Sequence, residues 1–164
     1  MKRLWRIVKI ILIVAVIGLA GTAVGMRNTT DDAAKWHVDP AIAERTGRPN
    51  DYLVAPAGAA ASTPDREPSV HLLPPEELLF LFDAVARPSR NVDVIAGGVK
   101  DRHITYVQRT TVLGFPDYIS VKAIEVDGGS ALIIWSRSRY GYSDLGVNKK
   151  RIDAWLAQID KPNR

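Results

Sequence analysis

The first nine residues hold four cations, Lys2, Arg3, Arg6 and Lys9, and an apolar run from Ile10 to Met26 comes directly after them. From Ile7 to Met26 is about 20 residues; as a helix rising ~1.5 Å per residue they span ~30 Å, the thickness of a bilayer's hydrocarbon core. Lys9 lies close enough to the end of the span for its ammonium to snorkel to the interface, and Trp5 stands where interfacial aromatics collect. A soluble helix of this length keeps a polar face, and this one has none. The cationic flank stays in the cytoplasm, which predicts a single-pass anchor (residues 1–26) with the rest of the chain facing outward. A cleaved signal peptide opens the same way. The small residues from Ala20 to Gly25 keep that alternative, a secreted domain, open.

The net charge of +4 belongs to this topology signal. Setting aside the four N-terminal cations leaves 18 Lys+Arg against 18 Asp+Glu, so the exported part is neutral. A nucleic-acid partner, which needs a basic domain face, is not expected. Without cysteine the chain forms no disulfide, thiolate metal site or thiol nucleophile, and its fold must be held by packing alone.

Residues 27–73 differ in composition from the rest of the chain. Seven of the ten prolines fall between Pro40 and Pro75, and Ala57-Gly-Ala-Ala-Ala-Ser-Thr-Pro64 has little to bury. This composition predicts an extended proline- and alanine-rich arm, with Trp36–Pro40 and Tyr52–Val54 as docking points, the latter able to add an edge strand. Residues 74–161 read as an α+β globular domain. Pro75, Glu76 and Glu77 suit a helix start, with Leu78, Leu81, Phe82 and Val85 as its core face and Pro88 as its stop. Runs over 91–96, 103–113, 118–126 and 130–139 read as strands joined by short turns, Asp127-Gly128-Gly129 being a hairpin signal. A last helix opens with Asn148 as N-cap, carries Ile152, Trp155, Leu156 and Ile159 on one face, and stops at Pro162. The order predicts a four-stranded antiparallel sheet with two helices on one face, helices on opposite faces being the alternative.

Ser136–Arg151 is the constellation that asks for an explanation. Strand alternation sends Arg137 and Arg139 to one face and Ser136 and Ser138 to the other. Tyr140–Gly146 is a glycine-bounded turn, and Lys149, Lys150 and Arg151 occupy the first turn of the last helix, where cations oppose the helix dipole. The segment holds five cations and one acid, Asp144. Arginine forks beside a helix start make a candidate anion- or partner-binding site from Arg137, Arg139, Ser143, Asp144, Asn148, Lys149 and Arg151. The structural alternative pairs Arg137 or Arg139 with Asp144, Asp117 or Glu125.

No other chemistry is indicated. His37, His71 and His103 lack the i, i+4 spacing of a helical zinc pair, and no metal site is expected. No phosphate-loop or dinucleotide glycine pattern occurs, so no cofactor is expected. Trp135 and Trp155 read as core residues. No catalytic residue is assigned.

The Ser136–Arg151 stretch resembles the signature of a bacterial and plastid family, domain of unknown function 1499. That signature runs Ser-Arg-Ser-Arg, aromatic, Gly, then Ser-Asp-x-Gly-x-Asn and a closing Arg. It maps onto Ser136 to Arg139, Tyr140, Gly141, Ser143, Asp144, Gly146, Asn148 and Arg151, with an upstream Pro49-Asn50. The resemblance covers roughly 48–159. Many relatives place a cysteine after the Pro-Asn; here Asp51-Tyr52 stands in that place, so no role of that cysteine carries over. The resemblance implies a small exported or membrane-tethered domain and supplies no activity. The expected partners are the lipid bilayer and either an envelope protein or an anionic small molecule. With that resemblance, the leading expectation is a non-catalytic binding module tethered to a bacterial inner membrane and facing the periplasm. An enzyme acting on an anionic envelope substrate and a structural envelope subunit are the alternatives.

Overall fold

A computed structural model describes residues 1–161. Pro162, the expected stop of the last helix, lies outside the described residues. The apolar run forms a helix, α1 (Lys2–Arg27), with none of its residues buried, and it is long and apolar enough to cross a membrane. A short helix, α2 (Ala33–Trp36), comes next; Asp32 caps it by accepting from the Ala34 amide. Asp39 does the same for a 3-10 turn over Pro40–Ile42, accepting from the Ala41 amide.

The sheet has five strands where four were expected. They are β1 (Asp51–Val54), β2 (Val92–Gly98), β3 (His103–Arg109), β4 (Pro116–Val126) and β5 (Gly129–Ser138). Their order is β1-β5-β4-β3-β2, every neighbouring pair antiparallel. The extra strand, Asp51–Val54, comes from the proline-rich arm. Tyr52, Leu53 and Val54 are buried on both faces of the strand, where aromatic and branched side chains pack well, and β5 supplies the ladder partners. At the β4–β5 turn Gly128 and Gly129 take φ of 86° and 142°, conformations that side chains other than glycine rarely adopt.

Two helices, α3 (Pro75–Ala86) and α4 (Val147–Ile159), cover one sheet face. They bury Leu78, Leu79, Phe82, Ile152, Trp155 and Leu156 against Val54, Tyr106, Ile119, Leu132 and Ile134. Each fully buried large apolar side chain contributes roughly 1.5–3 kcal/mol. Leu79 takes the inward place expected of Leu81, which is 40% exposed on the helix flank.

The arm covers the opposite face, acting as a strap. Leu53, Ala55 and Ile133 cluster there with Ala41, Ala59, Ala60 and Trp135. The Trp36 ring stacks on Tyr118 with centroids 3.9 Å apart, and His37 stacks on His103 at 4.0 Å. The strap therefore completes a third layer over a mixed face, where Leu53 and Ile133 are buried beside polar groups such as Thr105, Ser120 and Arg137.

Candidate functional site

The seven side chains singled out in the sequence do not meet at one corner. Alternation along β5 sends Arg137 and Arg139 under the strap, and Ser136 and Ser138 towards α4. The sheet itself separates the two groups.

On the helix side, Asn148 is fully buried one position inside α4 and is not its N-cap. Its Oδ1 accepts from Ser136 Oγ (2.6 Å) and Arg151 Nη1 (2.8 Å), and its Nδ2 donates to Asp144 Oδ2 (2.7 Å) and Ser138 Oγ (3.1 Å). Asp144 caps the helix instead, accepting from the amides of Gly146 and Asn148. Gly146 enters the helix at φ 78°, a left-handed conformation that suits glycine. Arg151 pairs with Asp117 at 2.6 Å, both side chains only 7% exposed, and also donates to Gln108. Lys149 reaches Asp153 one turn on, at 2.6 Å. Ser143 accepts from the Leu145 amide, and Lys150 is exposed. Of the cations at the start of α4, Arg151 is thus met by Asp117 and Lys149 by Asp153, both acids outside the Ser136–Arg151 segment, while Asp144 is taken up by the helix amides and Asn148. Glu125, another expected partner, pairs with Arg102.

On the strap side Arg109 and Lys122 have acid partners, while Arg137 and Arg139 form no ion pair among the described residues. Arg137 is 7% exposed and, among the described residues, has no carboxylate within salt-bridge distance. Its Nη2 donates to the Trp36 carbonyl (2.8 Å) and its Nη1 to Ser120 Oγ (3.2 Å). The guanidinium lies over the Trp135 ring, 4.1 Å from its centroid, with the Trp36 ring 5.6 Å away. Trp135 thus packs on the strap-side apolar cluster, in keeping with the core role read from the sequence, and also lies under the cation. Burial pushes Arg137 down to about 10, so it remains charged at neutral pH.

Arg139 lies beside it, donating to the Thr30 carbonyl (3.0 Å) and to Tyr118 Oη (3.2 Å). Burial and the hydrogen bond to Asp31 push the Tyr118 phenol up to about 12, so Tyr118 stays neutral. Both arginines line a cleft of about 470 Å³ with Trp36, Thr46, Arg48, Asn50, Asp51, Trp135 and Tyr140. Three arginines thus face one carboxylate, Asp51. Asp51 is already engaged by Arg45 (2.7 and 3.0 Å) and by the Trp135 indole N–H (2.8 Å). A positive, aromatic-walled cleft of this size can hold a carboxylate or phosphate group.

The sequence missed Trp36, Arg48 and Asp51 as members of this cleft. Only the Pro49-Asn50-Asp51 departure from the family pattern pointed towards them. His37 and His103, dispersed in sequence, meet under the strap, and His103 Nε2 is buried without a hydrogen-bond partner among the described residues.

No curated protein matches the chain. Among solved structures, the X-ray crystal structure of protein MLL2253 from Mesorhizobium loti is similar over 58% of this chain and 96% of that chain, at 9% identity and a TM-score of 0.42. The family match covers residues 42–159, so Trp36 and the first part of the strap precede it; the chain belongs to the family described as "Protein of unknown function (DUF1499)".

Proposed function

We propose that this protein is a non-catalytic binding module, retained in the bacterial inner membrane by α1, with its folded domain in the periplasm and an anion-binding cleft around Arg137. The supporting observation is a buried guanidinium that has aromatic faces and a backbone carbonyl for neighbours but no carboxylate among the described residues. Burying a charge is costly unless it is paired, and the adjoining Arg139 and Arg48 raise the local potential further. An anionic group entering the cleft offsets that cost. The ligand class is a small molecule carrying a phosphate or carboxylate, or the acidic side chain of an envelope protein.

A structural role has its own observation. Arg137 ties the strap to the sheet through the Trp36 carbonyl. An enzymatic reading needs a proton-transfer group beside the arginines, and the cleft's carboxylate, Asp51, has both oxygens occupied.

The test uses the full chain in nanodiscs. Thermal unfolding of the domain is monitored in inorganic phosphate and in chloride at matched ionic strength. A ligand that binds only the folded state stabilises it by ~2.7 kcal/mol at a hundredfold excess over Kd. Phosphate should raise the melting temperature of the wild type more than that of Arg48→Gln and Arg139→Gln. An equal phosphate increment in all three chains leaves only the structural role. Orientation is checked separately by reporter fusions after Arg27: activity of a cytoplasm-only reporter refutes the periplasmic placement.

A further inference from the structure

We propose that the β3–β4 turn (110–115) and the loop 140–146 form a membrane-contact surface that seats the folded domain on the headgroups of the bilayer crossed by α1. This rests on α1 being a retained anchor. It goes further, because a tether alone would let the domain hang free.

The join between α1 and the sheet has no slack. Arg27, the last residue of α1, donates from Nη2 to the carbonyls of Thr111 and Val112, each at 3.1 Å. Arg109, at the end of β3, donates from Nη1 to the Met26 carbonyl (2.8 Å) and from Nη2 to the Thr29 carbonyl (2.9 Å). It also forms an ion pair with Asp31 at 2.7 Å. No flexible linker therefore separates the membrane helix from the sheet. With Met26 at the edge of the hydrocarbon core, Arg27 lies at headgroup depth and the β3–β4 turn lies with it.

The same end of the sheet carries the exit of β5. In the β3–β4 and β4–β5 ladders Arg109 pairs with Pro116 and Asp117 with Ser138, so the 110–115 and 140–146 loops leave side by side. Phe115 and Tyr140 meet edge to face at 6.2 Å, and an apolar-walled hollow of about 350 Å³ runs between the loops. This end exposes large apolar side chains: Val112 is 70%, Tyr142 72% and Leu145 93% exposed. Leu145 is presented from a left-handed turn at φ 54°. Exposed apolar and aromatic side chains clustered beside a membrane exit, with Arg27 and Arg139 alongside, fit an interface that takes both acyl-chain carbons and anionic headgroups.

The far end of the sheet supplies a control. β4 has 11 residues; at ~3.4 Å per residue its hairpin with β5 at Asp127-Gly128 stands about 35 Å away. The chain lacks cysteine, so single substitutions take one fluorophore each. Val112→Cys, Leu145→Cys, Asp127→Cys and Val16→Cys of the full chain are labelled with an environment-sensitive dye and reconstituted in phosphatidylethanolamine–phosphatidylglycerol vesicles. Nitroxide lipids labelled at the headgroup or deep in the acyl chain then report depth. Headgroup nitroxide should quench the labels at 112 and 145 several-fold more than the label at 127, with aqueous iodide giving the reverse order. Labels at 112 and 145 that behave like the one at 127, while 16 is quenched from the acyl chain, overturn the contact surface and leave the anchor standing. A label at 16 open to iodide removes the anchor and the proposal with it. Shielding at 112 and 145 that lipid nitroxide does not cause, and that vanishes as protein is diluted in the bilayer, assigns the surface to a second copy of the chain and also overturns it.

Discussion

Arg137 and Asp51 stand opposite each other across the β1–β5 ladder and do not form an ion pair. The Asp51 carboxylate turns to the Arg45 fork and to the Trp135 indole, while Arg137 turns to the Trp36 carbonyl and the Trp135 ring face. Cross-strand neighbours of opposite charge normally stabilise each other. Here a third residue takes the acid, and the cation in the cleft is left without one.

Removing Arg45 should therefore weaken the cleft for anions without touching an arginine that lines it. Arg45→Met frees Asp51 to neutralise Arg137. The phosphate-dependent rise in melting temperature should shrink towards that of Arg139→Gln. An undiminished rise would show that Asp51 does not tune the site.

The Asp117–Arg151 pair should behave as a buried ion pair does. Asp117→Asn leaves a buried guanidinium against neutral groups and should cost about 3–5 kcal/mol in denaturant unfolding. The double change Asp117→Leu, Arg151→Met removes both charges and should cost less than the single one. A double variant weaker than the single would mean that hydrogen bonding to Ser136, Asn148 and Gln108 matters more than the charge pair.

Acidification should loosen the strap. Burial, and then the neighbouring His37, hold the His103 imidazole below the ordinary histidine range; Asp39, Lys122 and the Val38 backbone are the other groups that face it. The unfolded chain thus takes up the proton at a higher pH than the folded one. The stability is fully present above about pH 6.5 and falls as pH drops from there, by up to ~1.4 kcal/mol per pH unit for one proton. Denaturation at pH 5, 6, 7 and 8 should show this slope, and His103→Phe should flatten it. Equal slopes in the two chains would place the pH dependence elsewhere.

Trp36→Ala should release the first part of the strap while the sheet stays folded. It removes the stack on Tyr118 and the ring beside Arg137, and should cost about 2 kcal/mol. Hydrogen exchange should quicken at residues 30–41 and stay slow in β4 and β5. Uniform quickening throughout would show that the strap and sheet unfold as one unit.

Much of the architecture is legible along the chain because it is local. Leu78 and Phe82 repeat at helical spacing, Pro88 bounds that helix, and Asp127-Gly128-Gly129 marks the hairpin. β1 was readable only as an edge candidate, since four residues carry little periodicity and their burial depends on β5. The candidate site was half legible. Alternation put Arg137 and Arg139 on one face, but the cations at the start of α4 looked unbalanced because Asp117 and Asp153 lie outside the turn.

The sequence by itself determined the apolar N-terminal helix, the charge balance of the body, the helices and most strands. Each of these arises from side-chain character at fixed short spacing. Tertiary structure alone decided that the strap lies across the sheet, that Arg151 finds Asp117 while Arg137 finds no acid, and that Trp36 and Arg48 join Arg139 at one cleft. Those outcomes depend on contacts between residues up to about a hundred positions apart, such as Trp36 and Arg137. Hydrophobic and charge patterns constrain which face a side chain takes but not which distant partner waits there.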